Sequence, residues 1–264
     1  MAKKNRKPSI VAQNMSNTNT RGGKNGGYYD PRFDSHDDDE IIQMDTFRKK
    51  SKPVEILPKN KRQEEYLDLL NDHKKPLVIA TGPAGTGKTM LATLYAVREL
   101  KAGRIKKIVL IRPTVSVEES LGHLPGSLRE KLENWQIPII EIMEEYWSPQ
   151  SIEFMLEQKV IEFAAFSHIR GRTFKNCVVI GDEIQNSNKH MALALFSRIG
   201  DNTKMIITGD LKQHDRGYDV NGLSDFLERL DATHSNMIGR VEFDRRHIER
   251  HPIVAEILRI YGEE

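Results

Sequence analysis

The chain has 264 residues, is 38% hydrophobic and 30% charged, and carries a net charge of +2. It is long enough for one large domain or two small ones. No apolar run approaches the roughly 20 residues needed to span a bilayer. The basic N-terminus lacks the apolar stretch of a signal peptide, and a single cysteine, Cys177, excludes an intrachain disulfide. These features fit a cytoplasmic protein without a membrane partner.

Charge is unevenly placed. Residues 1–29 hold six basic side chains (Lys3, Lys4, Arg6, Lys7, Arg21, Lys24) and no acid, and residues 30–40 then bring six acids. Such a segment buries too little apolar surface to offset its ordering entropy. Residues 1–50 are expected to be a flexible charged tail, and 51–264 a folded domain. The tail reads first as a solubilising arm. The alternative is a basic arm that touches nucleic acid, with the acidic block competing for it.

Beyond the tail the periodicity becomes regular. RQEEYLDLLND (62–72) puts Tyr66, Leu67, Leu69 and Leu70 on a helical face. PLVIA (76–80) is a buried strand. KTMLATLYAVREL (88–100) is a helix that Gly103 stops. KKIVLIR (106–112) is a strand that Pro113 ends. SLREKLENWQIPIIEIMEEYW (127–147) reads as helix with a kink near Pro138. CVVIGD (177–182) is a third strand, and residues 186–200 a helix capped by Asn186 or Ser187 and stopped at Gly200. KMIITGD (204–210) is a fourth strand, 221–230 a helix, MIGRVEF (237–243) a fifth strand and 248–261 a closing helix. Strands apolar on both faces and separated by helices imply an α/β fold with a mainly parallel sheet covered on both sides. Ligands of such sheets bind at the carboxyl ends of the strands, where the polar motifs fall.

GPAGTGKT (82–89) satisfies G-x-x-x-x-G-K-[ST] between a strand and a helix, the context that confirms a phosphate-binding loop. Gly82, Pro83, Ala84, Gly85, Thr86 and Gly87 supply the backbone cradle. The helix N-terminus adds positive potential. Lys88 is expected on the β- and γ-phosphates and the Thr89 hydroxyl on Mg²⁺. Asp182 ends the third strand, placed to hold the same Mg²⁺. Glu183 is the candidate to orient or activate water. Gln63, on a helix ahead of the loop, suits either plain solvation or recognition of adenine. Two amides follow the acids, Gln185 and Asn186. One helix and one strand later stands ITGDLKQHD (207–215), in which Asp210 and Gln213 form a G-D-x-x-Q pattern. Gln213 is placed to sense a γ-phosphate.

The D-E-x-Q and G-D-x-x-Q pair resembles motifs II and III of superfamily 1 helicases. There the amides link the γ-phosphate to the nucleic-acid side of the domain. The resemblance narrows on LPKNKRQEEYLDLL, GPAGTGKT, IRPTV (111–115), LGHLPGSLREKL (121–132), IRGRTFKN (169–176), DEIQN (182–186), FSRIGDNTKMIITGD (196–210) and RHPIV (250–254). Together these resemble the PhoH family of phosphate-starvation-inducible ATPases over nearly everything but the tail. That resemblance implies a RecA-like domain, ATP hydrolysis with Mg²⁺, and action on RNA, and it makes Gln63 the adenine-reading residue. Two positions depart from the family. Ile184 stands where alanine is usual, a change of volume. HIERH (247–251) replaces D-V-V-R-H, which puts any role of that acid in doubt. The tail is too short and polar for a fused PIN nuclease, so RNase activity is not expected.

A two-lobed helicase receives an arginine from its second lobe, which accelerates hydrolysis by about 10³–10⁵. One lobe is expected here, so a neighbouring subunit is expected to supply it. Heterologous contacts close into rings, and analogy with other RecA-like rings points to a hexamer. Arg170 and Arg172 in IRGRTF lead the candidates, followed by Arg198, Arg246 and Arg250. Three functions compete. One is an ATP-driven ring translocase on single-stranded nucleic acid, RNA before DNA. Another is an ATP-dependent switch on a protein partner. The third, a small-molecule kinase, has no need of the paired amide motifs.

Overall fold

The computed structural model describes residues 53–113, 134–213, 221–233 and 235–249, together with Ile253, Glu256, Ile257 and Ile260. The tail, the segment 114–133 that contains LGHLPG, and His214, Arg250 and His251 lie outside the described residues. In chain order the elements are α1 (Lys61–Asn71), β1 (Leu77–Thr81), α2 (Lys88–Lys101), β2 (Lys107–Ile111), α3 (Ile137–Glu144), α4 (Pro149–Glu157), β3 (Ile161–Ala164), β4 (Cys177–Gly181), α5 (Lys189–Phe196), β5 (Thr203–Gly209), α6 (Gly222–Thr233) and β6 (Ile238–Glu242). Short 3-10 turns cover Phe166–His168, Ile184–Asn186 and Arg245–His247.

The six strands form one sheet in the order β3-β2-β4-β5-β1-β6, and every pairing is parallel. The fold is therefore the α/β, parallel-sheet class expected of a RecA-like P-loop protein. Alternation along the central strands feeds two cores. Val78, Ala80, Val178, Ile180 and Ile206 face α1 to α4 and pack with Tyr66, Leu70, Leu91, Tyr95, Ile140 and Ile152. Leu77, Ile79, Val179, Met205 and Ile207 face the other way, against Leu195, Leu223 and Leu227 of α5 and α6. Each large aliphatic side chain so buried contributes roughly 1.5–3 kcal/mol.

Several local expectations shift. Pro138 occupies the first turn of α3 and so starts a helix rather than kinking one, since its missing N–H is not needed there. Asn188, not Asn186 or Ser187, caps α5, its side chain accepting from Met191 N–H at 3.0 Å. Asn186 belongs instead to the preceding 3-10 turn, and α5 ends at Phe196, short of Gly200. α4 and β3 add a helix and an edge strand within 148–164. Of the closing helix expected over 248–261, Ile253, Glu256, Ile257 and Ile260 are helical, while Ile248 and Glu249 precede it without helical backbone. Trp147 is buried in the core, and Trp135 packs edge-on to Phe163 with ring centroids 5.4 Å apart.

One consequence of the strand order positions everything that follows. β5 lies between β1, which leads into the glycine-rich loop, and β4, which leads into Asp182 and Glu183. Its carboxyl end therefore touches both.

Candidate nucleotide site

The loop after β1 is shaped by glycines with positive φ: Gly82 at 131°, Gly85 at 84° and Gly87 at 84°. At Gly82 the requirement is also steric, because an added Cβ would lie 2.3 Å from the Phe243 carbonyl oxygen. That close approach ties the loop to its sheet. Gly82 N–H donates to Gly209 O at 3.0 Å and Phe243 N–H to Thr81 O at 2.7 Å. Two further contacts brace the loop. Glu249 N–H donates to Gly85 O at 2.9 Å, and the Glu249 carboxylate accepts from Asn60 at 2.8 Å. From α1, Gln63 Nε2 donates to Thr86 O at 3.1 Å while its Oε1 accepts from Lys59 N–H at 2.8 Å. Gln63 is 1% exposed. Its carboxamide is engaged on both sides and braces the loop.

Lys88 opens α2 and folds back over the loop. Its Nζ donates to Gly82 O at 2.7 Å and Pro83 O at 2.8 Å. Burial pulls its ammonium below the ordinary lysine range, and the nearby carboxylates of Glu183, Asp210 and Asp182 oppose that pull. One turn of chemistry away, the Thr89 hydroxyl donates to Asp182 Oδ1 at 2.7 Å. The same oxygen accepts from Thr208 Oγ1 at 2.5 Å, and Arg112 approaches Oδ2 at 3.9 Å. A threonine hydroxyl beside a carboxylate is a hard-oxygen pair. It suits Mg²⁺, which takes one or two protein carboxylates and completes its shell with phosphate and water. The pair fits that ion without any larger cluster of ligands.

Glu183 sits in left-handed backbone, φ 54° and ψ 38°, a conformation that strains a non-glycine residue by roughly 1 kcal/mol or more. Gln185 holds what that turn presents. Its Nε2 donates to the Glu183 carboxylate, and its Oε1 accepts from Asp210 N–H at 3.0 Å. Gln185 is 1% exposed and lies against Gly209, where a Cβ would meet its Oε1 at 2.7 Å. Asp210 caps its own turn, Oδ1 accepting from Lys212 N–H at 3.0 Å, and Gln213 N–H donates to Asp210 O at 3.2 Å. The Gln213 residue itself is exposed. Beside the loop a cleft of about 380 Å³ is lined by Thr81, Pro83, Asp210, Phe243 and Arg245 among others. The Thr81 hydroxyl there is buried with no hydrogen-bond partner among the described residues.

Lys88, Thr89, Asp182, Glu183, Asp210 and Gln213 thus gather at the ends of β1, β4 and β5, while Arg170 and Arg172 lie between β3 and β4. Arg172 is held bidentate by Glu162 at 2.6 and 2.9 Å and lies over the Phe174 ring. Arg246 is tied to Asp244 at 2.6 Å, and Arg198 to the carbonyls of Ala194 in α5 and of Arg172 ahead of β4. Arg170 is exposed. It lies in the connection between β3 and β4. Thr208, Asn60 and Glu249 were not singled out from sequence. The one signal available was the threonine immediately before Gly209-Asp210.

Comparison with known proteins gives a consistent family. The profile described as PhoH-like protein matches residues 55–262. A PhoH-like protein of Bacillus subtilis is 38% identical over 226 residues, covering 85% of this chain and 70% of its own length. A PhoH-like protein of Mycobacterium leprae is 33% identical, covering 85% of this chain and 63% of its own length. Protein PhoH of Escherichia coli is 34% identical over 78% of this chain and 58% of its own. The chain thus spans about three fifths to 70% of these relatives. Among solved structures, the SWI2/SNF2 ATPase core of Sulfolobus solfataricus in complex with dsDNA aligns with a TM-score of 0.42 at 14% identity, over 74% of this chain and 46% of that one.

Proposed function

The chain belongs to the PhoH-like protein family, and from that premise we propose that it is a Mg²⁺-dependent ATPase acting on single-stranded nucleic acid, RNA before DNA. In this reading Lys88 leaves the carbonyls of Gly82 and Pro83 for the β- and γ-phosphates. Thr89 and Asp182 hold the magnesium ion, which when bound offsets phosphate charge. Glu183 orients the attacking water, and Gln213 meets the γ-phosphate from the β5 side. A neighbouring copy in a ring, hexameric by analogy, contributes Arg170. The setting is cytoplasmic.

The observation that carries the nucleic-acid half is the Gln185 bridge. One carboxamide holds both the Glu183 carboxylate and the Asp210 backbone. Any ligand that displaces the Asp210–Gln213 turn is therefore felt at Glu183 through a single side chain. A motor needs such a two-way link between its sites. A kinase that only transfers phosphate does not.

The test is the steady-state ATPase rate with and without single-stranded RNA and DNA at two salt concentrations. Stimulation that fades as salt rises is expected, because phosphate contacts release counterions. A rate indifferent to both nucleic acids would refute this half and support a switch acting on a protein partner.

A further inference from the structure

β5 presents two polar side chains to the face that carries α1 and α2, with Ile206 between them. Lys204 is engaged at the end of α1, donating to Asp72 O and Lys75 O at 2.8 Å each. Thr208 has a different partner. It is 0% exposed, and its hydroxyl donates to Asp182 Oδ1 at 2.5 Å, the oxygen that also accepts from Thr89 at 2.7 Å. A buried hydroxyl requires an acceptor, but main-chain oxygens usually suffice. Thr203, on the same strand, uses Phe174 O at 2.9 Å, and Thr93 uses Thr89 O at 2.8 Å. Thr208 alone of these three is directed at a side chain of the site.

The geometry follows from the register. Gly181 pairs with Ile207, so the next residue of each strand, Asp182 and Thr208, stand side by side on one face. The Asp182 backbone is fixed separately, its N–H donating to Ile111 O at 2.8 Å. What remains free is the carboxylate's rotation about its own side-chain bonds. From these contacts we infer that Thr208 is a positioning residue: it turns the Asp182 carboxylate so that Oδ1 meets Thr89, and so preassembles the oxygen pair that receives Mg²⁺. The inference rests on the ATPase reading above and adds to it a residue outside the P-loop and the acid pair.

The test measures binding, not turnover. A fluorescent ATP analogue is titrated into the wild-type chain and into T208V, T208A and T208S, across a range of Mg²⁺ concentrations and in EDTA. T208V and T208A should raise the Mg²⁺ concentration for half-maximal binding roughly tenfold, the worth of one hydrogen bond to a charged group. Binding in EDTA should not change, and T208S, which keeps the hydroxyl, should match wild type. Wild-type Mg²⁺ dependence in T208V overturns the proposal. So does an equal loss with and without Mg²⁺, which would mark a purely structural role. If T208V does not fold, T208A decides, since it removes the hydroxyl without placing a methyl against Asp182. A wild-type chain whose nucleotide binding ignores Mg²⁺ would refute the ATPase reading itself, and the proposal with it.

Discussion

Replacing Gln185 by glutamate exchanges one amide nitrogen for an oxygen at the centre of the site. The new carboxylate still accepts from Asp210 N–H, at 3.0 Å in the native chain. It can no longer donate to Glu183. Two carboxylates then face each other where an amide and a carboxylate met. At about 4 Å and an effective dielectric near 20, that repulsion is roughly 4 kcal/mol, borne by the two carboxylates as a coupled pair. The acidic limb of the kcat profile of Q185E should therefore move upward. Turnover near neutral pH should fall roughly tenfold to a hundredfold, and ATP binding should persist, because no phosphate ligand has changed. Gln185→Ala perturbs differently. It leaves the Asp210 N–H buried without an acceptor and releases Glu183, a combined loss of roughly 2–4 kcal/mol. That lowers Tm by about 5–15 °C in a domain of this size. The assays are phosphate release against pH and thermal melting. An unshifted pH–rate profile in Q185E would refute the reasoning that this amide governs Glu183.

Gly82→Ala should be severe: its Cβ meets a backbone oxygen at 2.3 Å and its φ is +131°. A loss of roughly 3 kcal/mol or more is expected, seen as a lower melting point together with lost nucleotide binding; wild-type melting would contradict it. Glu183→Gln should keep ATP affinity while turnover falls by about 10²–10⁴, read by comparing equilibrium binding with phosphate release; undiminished turnover would assign the water to another residue. Asp244 is held down to about 2 by hydrogen bonding from the Arg246 guanidinium. A carboxylate depressed when folded stabilises fully above its unfolded value and loses that contribution as pH falls through its folded one. Melting curves should thus show acid sensitivity between about pH 4 and about pH 2 that D244N lacks; identical slopes would exclude the ion pair as its source.

The parts of the fold legible in sequence are those where local and global demands coincide. Residues 177–181 and 203–209 are buried at every position, so CVVIG and the MII centre of β5 read as strand from their apolar side chains. The loop 82–89 is legible because only glycine adopts the φ of Gly82, Gly85 and Gly87. β3 was missed for the opposite reason. It is a four-residue edge strand with two half-buried positions, and its sequence, IEFA, has no distinctive alternation. The α5 cap was misplaced because Asn186, Ser187 and Asn188 are all good caps. Only the 3-10 turn over Ile184–Asn186 pushes the helix start past the first two.

For the site, residue identities were legible but relations were not. D-E-x-Q suggests that Gln185 matters, yet only the β4-β5-β1 order places it between Glu183 and Asp210. Gln63 shows the limit from the other side. Its residues alone leave it between solvation and base recognition, and nothing in them shows its hydrogen bond to Thr86 O. Arg170 and Arg172, two residues apart, separate only because Glu162 on β3 takes one of them. In each case the deciding partner is distant in sequence.

Whether Lys88, Thr89, Asp182 and Glu183 form an ATP-hydrolysing centre is decided by steady-state phosphate release from ATP by the wild-type chain and by Lys88→Ala, with Mg²⁺ and with EDTA. Measurable Mg²⁺-dependent turnover is expected in the wild type, abolished both by EDTA and by the loss of Lys88. Normal turnover in Lys88→Ala, or a rate that ignores Mg²⁺, would contradict it.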